Sequence, residues 1–377
     1  MKRVLYVVSE DWAFLSHRLH IAEKAVAKGY SVAVLTKVTK NRAQIEAAGI
    51  KVFEWNLMRG SLSPFNSVRA VFQTIKTIFI YKPHIIHVVA QKPILVVGFA
   101  SLFSKKLPIL NEFGGVGFIF SSKSLKAQLL RVLVSGLLRW FLQGELKFVL
   151  MQNKDDKALF EAAKIVSVGK IFLVSGAGVE MDLYKAKTIP TWSESSPAIV
   201  ALPARLLWDK GVEEFVRMAT TLRGRGFNAR FVLIGGFDPQ NSEGIPSDVV
   251  SKWVESGAVE HWGRLDNIAS VYHRISVVCF PSYREGLPKA LLEAASCARP
   301  IVCFDVPGCR EVVQHEVNGF LVELKNETEL LGRVCQLLSD RDLSAKMGIA
   351  GNKIISSKFE SSLIADQVMG IWQKILE

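Results

Sequence analysis

Short apolar runs alternate with longer segments of helical periodicity from one end of the chain to the other. The runs typical of strands are 3–8, 31–36, 50–55, 84–89, 107–111, 147–151 and 171–174 in the first half, and 198–202, 230–235, 258–262, 276–280, 300–304 and 319–322 in the second. The segments between them, such as 14–29 and 64–81, have the periodicity of helices. Almost continuously apolar strands that alternate with helices are typical of parallel, doubly wound sheets. Two such series in tandem predict an α/β protein with two Rossmann-like domains.

A polar segment with two prolines, 185–197, separates the two series and is predicted to be a linker. We therefore predict a first domain over 1–184 and a second domain over 198–359. Residues 360–377 have helical periodicity, and we expect this last helix to cross back to the first domain. Open parallel sheets bind ligands beyond the carboxyl ends of their strands. The expected site is therefore a central cleft that the two domains face.

The composition and the lengths of the apolar segments indicate the cellular compartment. Of the 377 residues, 49% are hydrophobic, which is enough for two buried cores. The first apolar run ends at residues 9–11, too early for a signal peptide, and no stretch has the roughly 18 apolar residues of a membrane span. The five cysteines are an odd number without C-x-x-C spacing, which argues against a disulfide framework and against a zinc site. We expect a protein that is made and kept in the cytosol.

The net charge of +12 is unevenly distributed. Residues 1–190 contain 27 Lys and Arg against 12 Asp and Glu, whereas residues 191–377 contain 20 against 23. A strongly basic first half favours an anionic partner, which is a membrane surface, a nucleic acid or a phosphorylated substrate. A basic surface that is merely solvated remains the alternative. Nucleic acid is the least favoured partner, since no recognised nucleic-acid-binding motif accompanies the charge.

The most informative segment is 280–294, where a predicted strand leads into a loop and then a helix. Gly286 lets the backbone approach a ligand, and Pro288 suits the first turn of a helix that begins near residues 286–288. The N–H groups of such a helix start favour a phosphate. Glu285 precedes the helix and Glu293 follows about two turns later. Two carboxylates at this spacing suit one extended ligand with many hydroxyl groups.

Residues 281–293, PSYREGLPKALLE, resemble the signature of glycosyltransferase family 4, a large family of retaining enzymes with the GT-B fold. The resemblance implies two Rossmann-like domains and a nucleotide-sugar donor. It implies further that Glu285 binds hydroxyl groups of the donor sugar, that Glu293 binds the ribose, and that Gly286, Leu287 and Pro288 line the donor site.

A second segment, 204–212, follows the strand 198–202 and resembles the R-x-x-x-x-K-G loop of the same family. The resemblance implies that Arg205 and Lys210 bind the donor diphosphate. Two cations suit this role because the departing nucleoside diphosphate gains negative charge in the transition state. Gly263, Arg264 and Leu265 follow the strand 258–262, where relatives contact the nucleotide base through backbone atoms. A plain turn is the alternative for these three residues.

The first half resembles a bacterial subgroup of the family that builds surface polysaccharides and lipid-linked oligosaccharides, through residues 9–19 and 111–120. Gly115 and Gly117 in the second of these segments let a loop approach the diphosphate from the facing domain. A glycine pair at this spacing is also common in ordinary loops.

Many relatives carry a second histidine two residues beyond a histidine at the end of the fourth strand, but here His87 is followed by VVAQK. Lys92, the last residue of that run, is the nearest polar candidate for a catalytic role. His17 is the best candidate imidazole near the acceptor, because its ordinary pKa suits proton transfer. The alternative is that His17 and His20 only pack or solvate a helix.

No metal site and no cofactor are predicted, since the nucleotide-sugar is itself the donor substrate. The only Asp-x-Asp, at 340–342, lies between two predicted helices where aspartate is a natural cap. Residues 121–147 place Lys123, Lys126, Arg131, Arg139 and Lys147 among apolar and aromatic side chains. This pattern fits a patch for an anionic bilayer, and it equally fits a helix with one buried and one charged face.

These features predict a hexosyl- or N-acetylhexosaminyltransferase that uses a nucleotide-sugar, expected to be UDP-linked. The expected acceptor is a glycan or a polyprenyl-diphosphate-linked sugar in bacterial surface polysaccharide synthesis. We expect the protein to bind peripherally at the inner face of the cytoplasmic membrane. The alternatives are a nucleotide-sugar-binding subunit without turnover, which the missing histidine suggests, and a phosphorylase or epimerase of the same fold.

Overall fold

The chain folds into two compact units, Met1–Gly178 with Ser361–Glu377, and Val179–Glu360. The computed structural model describes all residues except 59–62, 104–105, 116–124, 168, 189, 194, 240, 242 and 266, and of residues 64, 125–131 and 133 it describes the backbone only. The division falls earlier in the chain than the predicted end of the first domain at 184. The predicted linker, 185–197, belongs to the second unit, where Arg299 donates hydrogen bonds to the carbonyl groups of Lys187 and Thr188.

The described part of the first unit contains a seven-stranded parallel sheet with the order β3-β2-β1-β4-β5-β6-β7. Its strands are β1 (Arg3–Glu10), β2 (Ser31–Lys37), β3 (Lys51–Glu54), β4 (Ile85–Val89), β5 (Ile109–Phe113), β6 (Lys147–Met151) and β7 (Ile171–Leu173). Its helices include α1 (Asp11–His17), α2 (Leu19–Ala27), α3 (Arg42–Ala47), α4 (Pro64–Tyr81), α5 (Gln91–Ser101), α6 (Leu125–Leu142) and α7 (Lys154–Ala162).

The described part of the second unit contains a six-stranded parallel sheet with the order β10-β9-β8-β11-β12-β13. Its strands are β8 (Ala198–Pro203), β9 (Ala229–Ile234), β10 (Glu260–Gly263), β11 (Val277–Phe280), β12 (Ile301–Phe304) and β13 (Gly319–Val322). Its helices are α8 (Val212–Gly224), α9 (Ser247–Glu255), α10 (Ile268–Tyr272), α11 (Lys289–Ser296), α12 (Pro307–Val312), α13 (Glu327–Ser339) and α14 (Arg341–Lys358). The last helix, α15 (Ser361–Leu376), belongs to the first unit.

Both sheets are doubly wound, as predicted. In each sheet the strand order reverses once, between β1 and β4 in the first unit and between β8 and β11 in the second. The apolar runs form strands because helices cover both faces of each sheet, so that successive side chains are buried on either side. In the first unit, one hydrophobic cluster packs α4, α5 and α6 on one face, and another packs α1, α2, α3 and α15 on the opposite face.

The predicted helix over 14–29 is two helices, α1 and α2, which are separated at Arg18. Arg18 has φ −134°, outside the helical region, and only 2% of the residue is exposed. Its guanidinium group turns inward to the carboxylate of Glu112, at the end of β5. The helix therefore breaks where a side chain is drawn into the interior.

Candidate active site

The two sequence motifs of the second unit lie side by side, because each follows one of the two strands at the reversal of strand order. The loop 204–211 follows β8, the loop 281–288 follows β11, and these strands pair in parallel. The backbone N–H of Tyr283 donates to the carbonyl oxygen of Asp209 at 2.9 Å. Gly211 has φ +68°, and a Cβ atom at this position would lie 1.9 Å from the carbonyl oxygen of Pro281. The glycine is therefore required for the two loops to meet.

Lys210 and Glu285 form an ion pair at this junction. The Nζ atom of Lys210 is 2.7 Å from Oε1 of Glu285, and the two side chains are only 13% and 14% exposed. The hydroxyl group of Ser282 donates to the same carboxylate oxygen at 2.8 Å. Burial acts to lower the pKa of Lys210, but attraction to Glu285 and Asp209 outweighs it and raises the pKa above its ordinary value. The lysine is therefore a permanent cation at neutral pH.

Arg205 lies at the more exposed side of the same loop. Its guanidinium group is 2.7 Å from the carboxylate of Asp238, and its side chain is 41% exposed. Its positive charge acts on Lys210 in the direction of a lower pKa, so the two cations are close enough to interact. Two of the predicted diphosphate-binding residues thus converge on one edge of the sheet.

Glu293 occupies a different environment from Glu285. It lies on the buried side of α11, where the hydroxyl group of Tyr184 donates to Oε1 at 2.8 Å and that of Tyr272 donates to Oε2 at 3.4 Å. Lys289 is 3.8 Å from the same carboxylate. Burial raises the pKa of Glu293 despite these partners. The structure thus gives this carboxylate three protein partners and little exposure.

The loop with Gly286, Leu287 and Pro288 is held by its neighbour in the sheet. The helix begins later than predicted, at Lys289, because Pro288 is extended with φ −74° and ψ 107°. The backbone N–H of Gly308 donates to the carbonyl oxygen of Glu285 at 3.2 Å. A Cβ atom at Gly308 would lie 2.7 Å from the carbonyl oxygen of Gly286, so the loop after β12 packs tightly against the motif.

The predicted base-binding residues lie at the same sheet edge, after β10. Gly263 has φ +68°, and its carbonyl oxygen accepts a hydrogen bond of 2.9 Å from the backbone N–H of Gly235. Arg264 follows, and Leu265 packs against the core of the second unit. The structure therefore places these residues beside the end of β9, on the same side of the sheet as Arg205.

The first unit presents its candidate residues after the strands at its own reversal of strand order. His17 lies in α1, which follows β1, and its Nδ1 atom is 3.3 Å from the carbonyl oxygen of Ala13. Lys92 lies in α5, which follows β4, and donates a hydrogen bond to the carbonyl oxygen of Met58. Burial lowers the pKa of Lys92.

The predicted glycine loop follows β5, the next strand of the same sheet. Gly115 has φ +117°, a conformation that side chains with a Cβ rarely adopt. The prediction for Gly117 lies outside the described residues.

A buried polar network at this edge was not predicted. Oε2 of Glu112 accepts from Nε of Arg18 at 2.9 Å, and Arg18 also donates from Nη2 to the other carboxylate oxygen. The side-chain amide of Gln152 donates to Oε1 at 2.9 Å, and Nε2 of His87 lies 3.1 Å from Oε2. The indole N–H of Trp372, in α15, donates to Nδ1 of His87 at 3.3 Å.

This network fixes the charge states of its members. Burial acts to raise the pKa of Glu112, but the guanidinium group of Arg18 and the bonds from His87 and Gln152 outweigh it and lower the pKa to about 2. Burial lowers the pKa of His87, which remains neutral with its proton on Nε2, because Nδ1 accepts from the indole. The signal available in the sequence was a lone acidic residue inside the apolar run of β5.

The fold and these motif loops define a glycosyltransferase of the GT-B type. Residues 197–340 match the family model described as glycosyl transferases group 1, and residues 3–146 match the model described as glycosyl transferase 4-like. The protein is therefore a glycosyltransferase, and it belongs to family 4, as its motifs predicted.

Two curated relatives of the chain are bacterial glycosyltransferases. It is 26% identical, over 97% of its length and 98% of the relative's, to the N,N'-diacetylbacillosaminyl-diphospho-undecaprenol alpha-1,3-N-acetylgalactosaminyltransferase of Campylobacter jejuni. It is 24% identical, over 48% of its length and 47% of the relative's, to the capsular polysaccharide biosynthesis glycosyltransferase CapM of Staphylococcus aureus.

Solved structures share the fold at low sequence identity. The chain matches the sucrose-phosphate synthase of Thermosynechococcus elongatus with a TM-score of 0.81 at 18% identity, over 100% of this chain and 99% of the other. It matches Anabaena HepE in complex with UDP and glucose with a TM-score of 0.77 at 18% identity, over 99% and 100% of the two chains.

The described residues contain neither a metal-ligand cluster nor a membrane-spanning helix. Among them, no group of three or more His, Cys, Asp or Glu side chains is placed to hold a metal ion. No helix in the described part of the chain combines the length and the apolar character needed to cross a bilayer.

Proposed function

We propose that this glycosyltransferase transfers a sugar from a UDP-sugar to a glycan or polyprenyl-diphosphate-linked acceptor, with retention at the anomeric carbon. The observation that carries the donor half of the proposal is the ion pair between Lys210 and Glu285. A nucleotide-sugar has its anionic diphosphate directly bonded to its polyhydroxylated ring. Lys210 and Glu285 lie 2.7 Å apart at one sheet edge, so the cation can bind the diphosphate while the carboxylate accepts hydrogen bonds from the adjacent sugar hydroxyl groups.

Donor binding divides between the motif loops. Lys210 and Arg205 hold the diphosphate, and Glu285 accepts hydrogen bonds from hydroxyl groups of the sugar. The raised pKa of Lys210 supports the role, because the cation persists as the leaving group gains negative charge. Gly286, Leu287 and Pro288 line the sugar, and Gly263, Arg264 and Leu265 contact the base.

Glu293 is proposed to accept the ribose hydroxyl groups. An ionised carboxylate has about four acceptor positions, so the bonds from Tyr184 and Tyr272 leave capacity for further donors. The two tyrosines then fix the orientation of the carboxylate. Glu293→Gln keeps the size and removes the charge, so the role predicts a raised KM for the UDP-sugar.

The acceptor side of the proposal rests on the first unit. His17, Lys92, Gly115 and Gly117 are assigned to the acceptor and to the approach of the diphosphate. The assignment is supported by position, because His17, Lys92 and Gly115 all follow the carboxyl ends of strands in the first sheet. His17 and Lys92 follow β1 and β4, the two strands at the reversal of strand order. The name of the Campylobacter jejuni relative, a transferase acting on a diphospho-undecaprenol-linked sugar, supports a lipid-linked acceptor.

The reaction proceeds on one face of the sugar. The acceptor hydroxyl oxygen forms a bond to the anomeric carbon while the bond from that carbon to the diphosphate oxygen breaks. The hydroxyl proton passes to the departing diphosphate oxygen or to the imidazole of His17. The positive charge that this step requires comes from Lys210 and Arg205, and the proposal therefore includes no metal ion.

The location proposed is the inner face of the cytoplasmic membrane, with the protein bound peripherally. The excess of Lys and Arg in residues 1–190 supports an anionic surface as partner. Of the predicted basic patch over 121–147, the side chains of Lys123, Lys126 and Arg131 lie outside the described residues. Arg139 and Lys147 are described, and Arg139 donates to the carbonyl oxygen of Ala163.

The experiment is a UDP-release assay with a panel of UDP-sugars, with and without lipid-linked acceptors. Glu285→Ala and Lys210→Ala are each expected to lower kcat/KM at least roughly hundredfold, the effect of removing one transition-state contact. Arg230→Ala and Glu260→Ala are the matched controls, since they break an ion pair of 2.6 Å in the same unit. Near-wild-type turnover in both site variants contradicts the assignment. Tight UDP-sugar binding without turnover for any acceptor indicates a binding subunit instead.

A further inference from the structure

The solvent-exposed face of α4 carries an unusual number of large apolar side chains for a helix on a protein surface. Phe65, Phe72 and Phe79 recur every seven residues and are 77%, 67% and 62% exposed. Seven residues are about two helical turns, so the three rings form one stripe. Val68 and Ile80 lie beside this stripe and are also more than half exposed. We call these five residues, with the exposed cations Arg69 and Lys76, the α4 stripe.

The buried face of the same helix is not correspondingly richer in apolar residues. It carries Ala70, Ile78 and Tyr81 together with Thr74 and Thr77, whose hydroxyl groups bond back to the helix carbonyl groups. A surface helix of a water-soluble domain normally directs its polar residues outward. The outward face of α4 has large apolar side chains interrupted only by cations, which is the composition of a helix that lies in a membrane interface.

The chain segment that contains the stripe is strongly basic. Residues 55–144, which include α4, α5 and α6, contain eleven Lys and Arg and one acidic residue, Glu112. Glu112 is buried and paired with Arg18, so it contributes no negative charge to the surface. These residues therefore favour contact with an anionic surface, since none of their exposed side chains is a carboxylate.

The neighbouring helices extend the apolar surface. Helices α4, α5 and α6 pack on the same face of the sheet in one hydrophobic cluster, and the rings of Phe99 and Phe141 join α5 to α6. Phe103 beyond the end of α5 is 67% exposed, and Trp140 in α6 is 60% exposed. Tryptophan with an exposed apolar ring and a polar N–H group is suited to the boundary of a bilayer.

We propose that the α4 stripe is a docking surface for an anionic lipid bilayer. The proposal deepens the proposed function by naming the surface that meets the membrane, and it rests on that function only for the reason to dock, a lipid-linked acceptor. The phenyl rings enter the headgroup region, and Arg69 and Lys76 pair with lipid phosphate groups. A second copy of the chain is the weaker occupant, since two such basic faces repel each other.

Vesicle co-sedimentation tests the surface directly. Wild-type protein is expected to bind vesicles of mixed phosphatidylglycerol and phosphatidylcholine, to bind phosphatidylcholine alone far less, and to dissociate as salt rises. Phe65→Ser/Phe72→Ser is expected to weaken binding at least roughly tenfold. Arg69→Gln/Lys76→Gln is expected to weaken it roughly fivefold for each cation removed.

Matched variants in the second unit provide the controls. Val254→Ser/Ile349→Ser removes exposed apolar side chains from α9 and α14, and Lys346→Gln/Lys353→Gln removes exposed cations from α14. Both should bind vesicles as the wild type does. Wild-type binding by Phe65→Ser/Phe72→Ser, or equal losses in the control variants, overturns the proposal. A wild-type dimer that the phenylalanine variant converts to monomer, with vesicle binding unchanged, overturns it in favour of a self-association surface.

A second readout does not depend on loss of function. Phe72→Trp should place an indole in the bilayer, so vesicles with brominated acyl chains should quench its added fluorescence, whereas that of Ile349→Trp should remain unquenched. UDP release in lipid-free buffer should be unchanged in all α4 variants. If the wild type releases no UDP from any UDP-sugar, the proposed function fails while the vesicle result still decides the docking surface.

Discussion

The carboxylate of Glu112 holds one face of the first unit together, and replacing it by the isosteric amide should expose that dependence. The four donors on its two oxygens are Nε and Nη2 of Arg18, Nε2 of His87 and the amide of Gln152. A glutamine side chain has one acceptor oxygen and one donor nitrogen. In either orientation, Glu112→Gln therefore sets its NH₂ group against two donors and leaves Arg18, 2% exposed, without its counterion.

Two independent routes give the same magnitude for this change. Breaking a buried ion pair by removing one partner costs about 3–5 kcal/mol. The pKa of Glu112 lies at about 2 in the folded state against 4.5 for the unfolded group. This difference corresponds to about 3 kcal/mol of stability from ionisation alone. We expect Glu112→Gln to lower the free energy of unfolding of the first unit by about 3 kcal/mol.

The assay must resolve the two units, because a two-domain chain does not unfold in one step. Hydrogen exchange of peptides from β5 and α15 should accelerate about a hundredfold, which corresponds to this free energy, while peptides from β11 and β12 should exchange as in the wild type. Glu145→Gln, at an exposed position of the same unit, is the control.

The double change Arg18→Met/Glu112→Leu should cost less than the sum of its two single changes, since it leaves no unpaired charge. If hydrogen exchange in β5 and α15 of Glu112→Gln stays within threefold of the wild-type rate, the reasoning is refuted. It would mean that the network does not stabilise the unit.

Three further predictions concern the site and its pH dependence. Gly211→Ala should raise the KM for the UDP-sugar and destabilise the second unit by about 1–3 kcal/mol in thermal unfolding, because the new Cβ atom clashes with Pro281 and the positive φ disfavours alanine. Gly224→Ala is the control and should be neutral, because the space around Gly224 is open. UDP binding followed by calorimetry should lose no affinity through Lys210 below about pH 10.5, because the folded pKa is raised and the charged form persists; a loss centred near pH 8 contradicts this. Stability from Glu112, whose folded pKa is depressed, should be complete above about pH 4.5 and lost as pH falls toward 2, and Glu112→Gln should flatten this part of an acid titration.

The strands could be predicted from the sequence because their signal is local. Every predicted apolar run appears as a strand in the sheets, within a few residues, and the predicted helix 64–81 is α4. A parallel strand buried on both faces has little freedom in composition, so the pattern specifies the class of fold. The reversal of strand order then brings Lys210 and Glu285 together without any further signal.

The parts that could not be predicted depend on contacts distant in sequence. The break at Arg18 is caused by Glu112, 94 residues further along the chain, and no local periodicity encodes that distance. The partners of Glu293 are likewise distant, since Tyr184 precedes it by 109 residues and Tyr272 by 21, and no local pattern signals either contact. The outward apolar stripe of α4 has the helical period of a buried face, and only the packed structure shows which face is exposed.

The place of α15 in the first unit has a consequence for the order in which the protein matures. Trp372 is fully buried there and bonded to His87, and Ile364 and Ile375 lie in the same hydrophobic cluster. During translation this helix emerges after the whole of residues 179–360. A domain whose first strand is synthesised before residues 179–360 must therefore wait, with part of one face of its sheet uncovered, until the other domain has been synthesised. The half of the molecule that is made first is the half that is completed last.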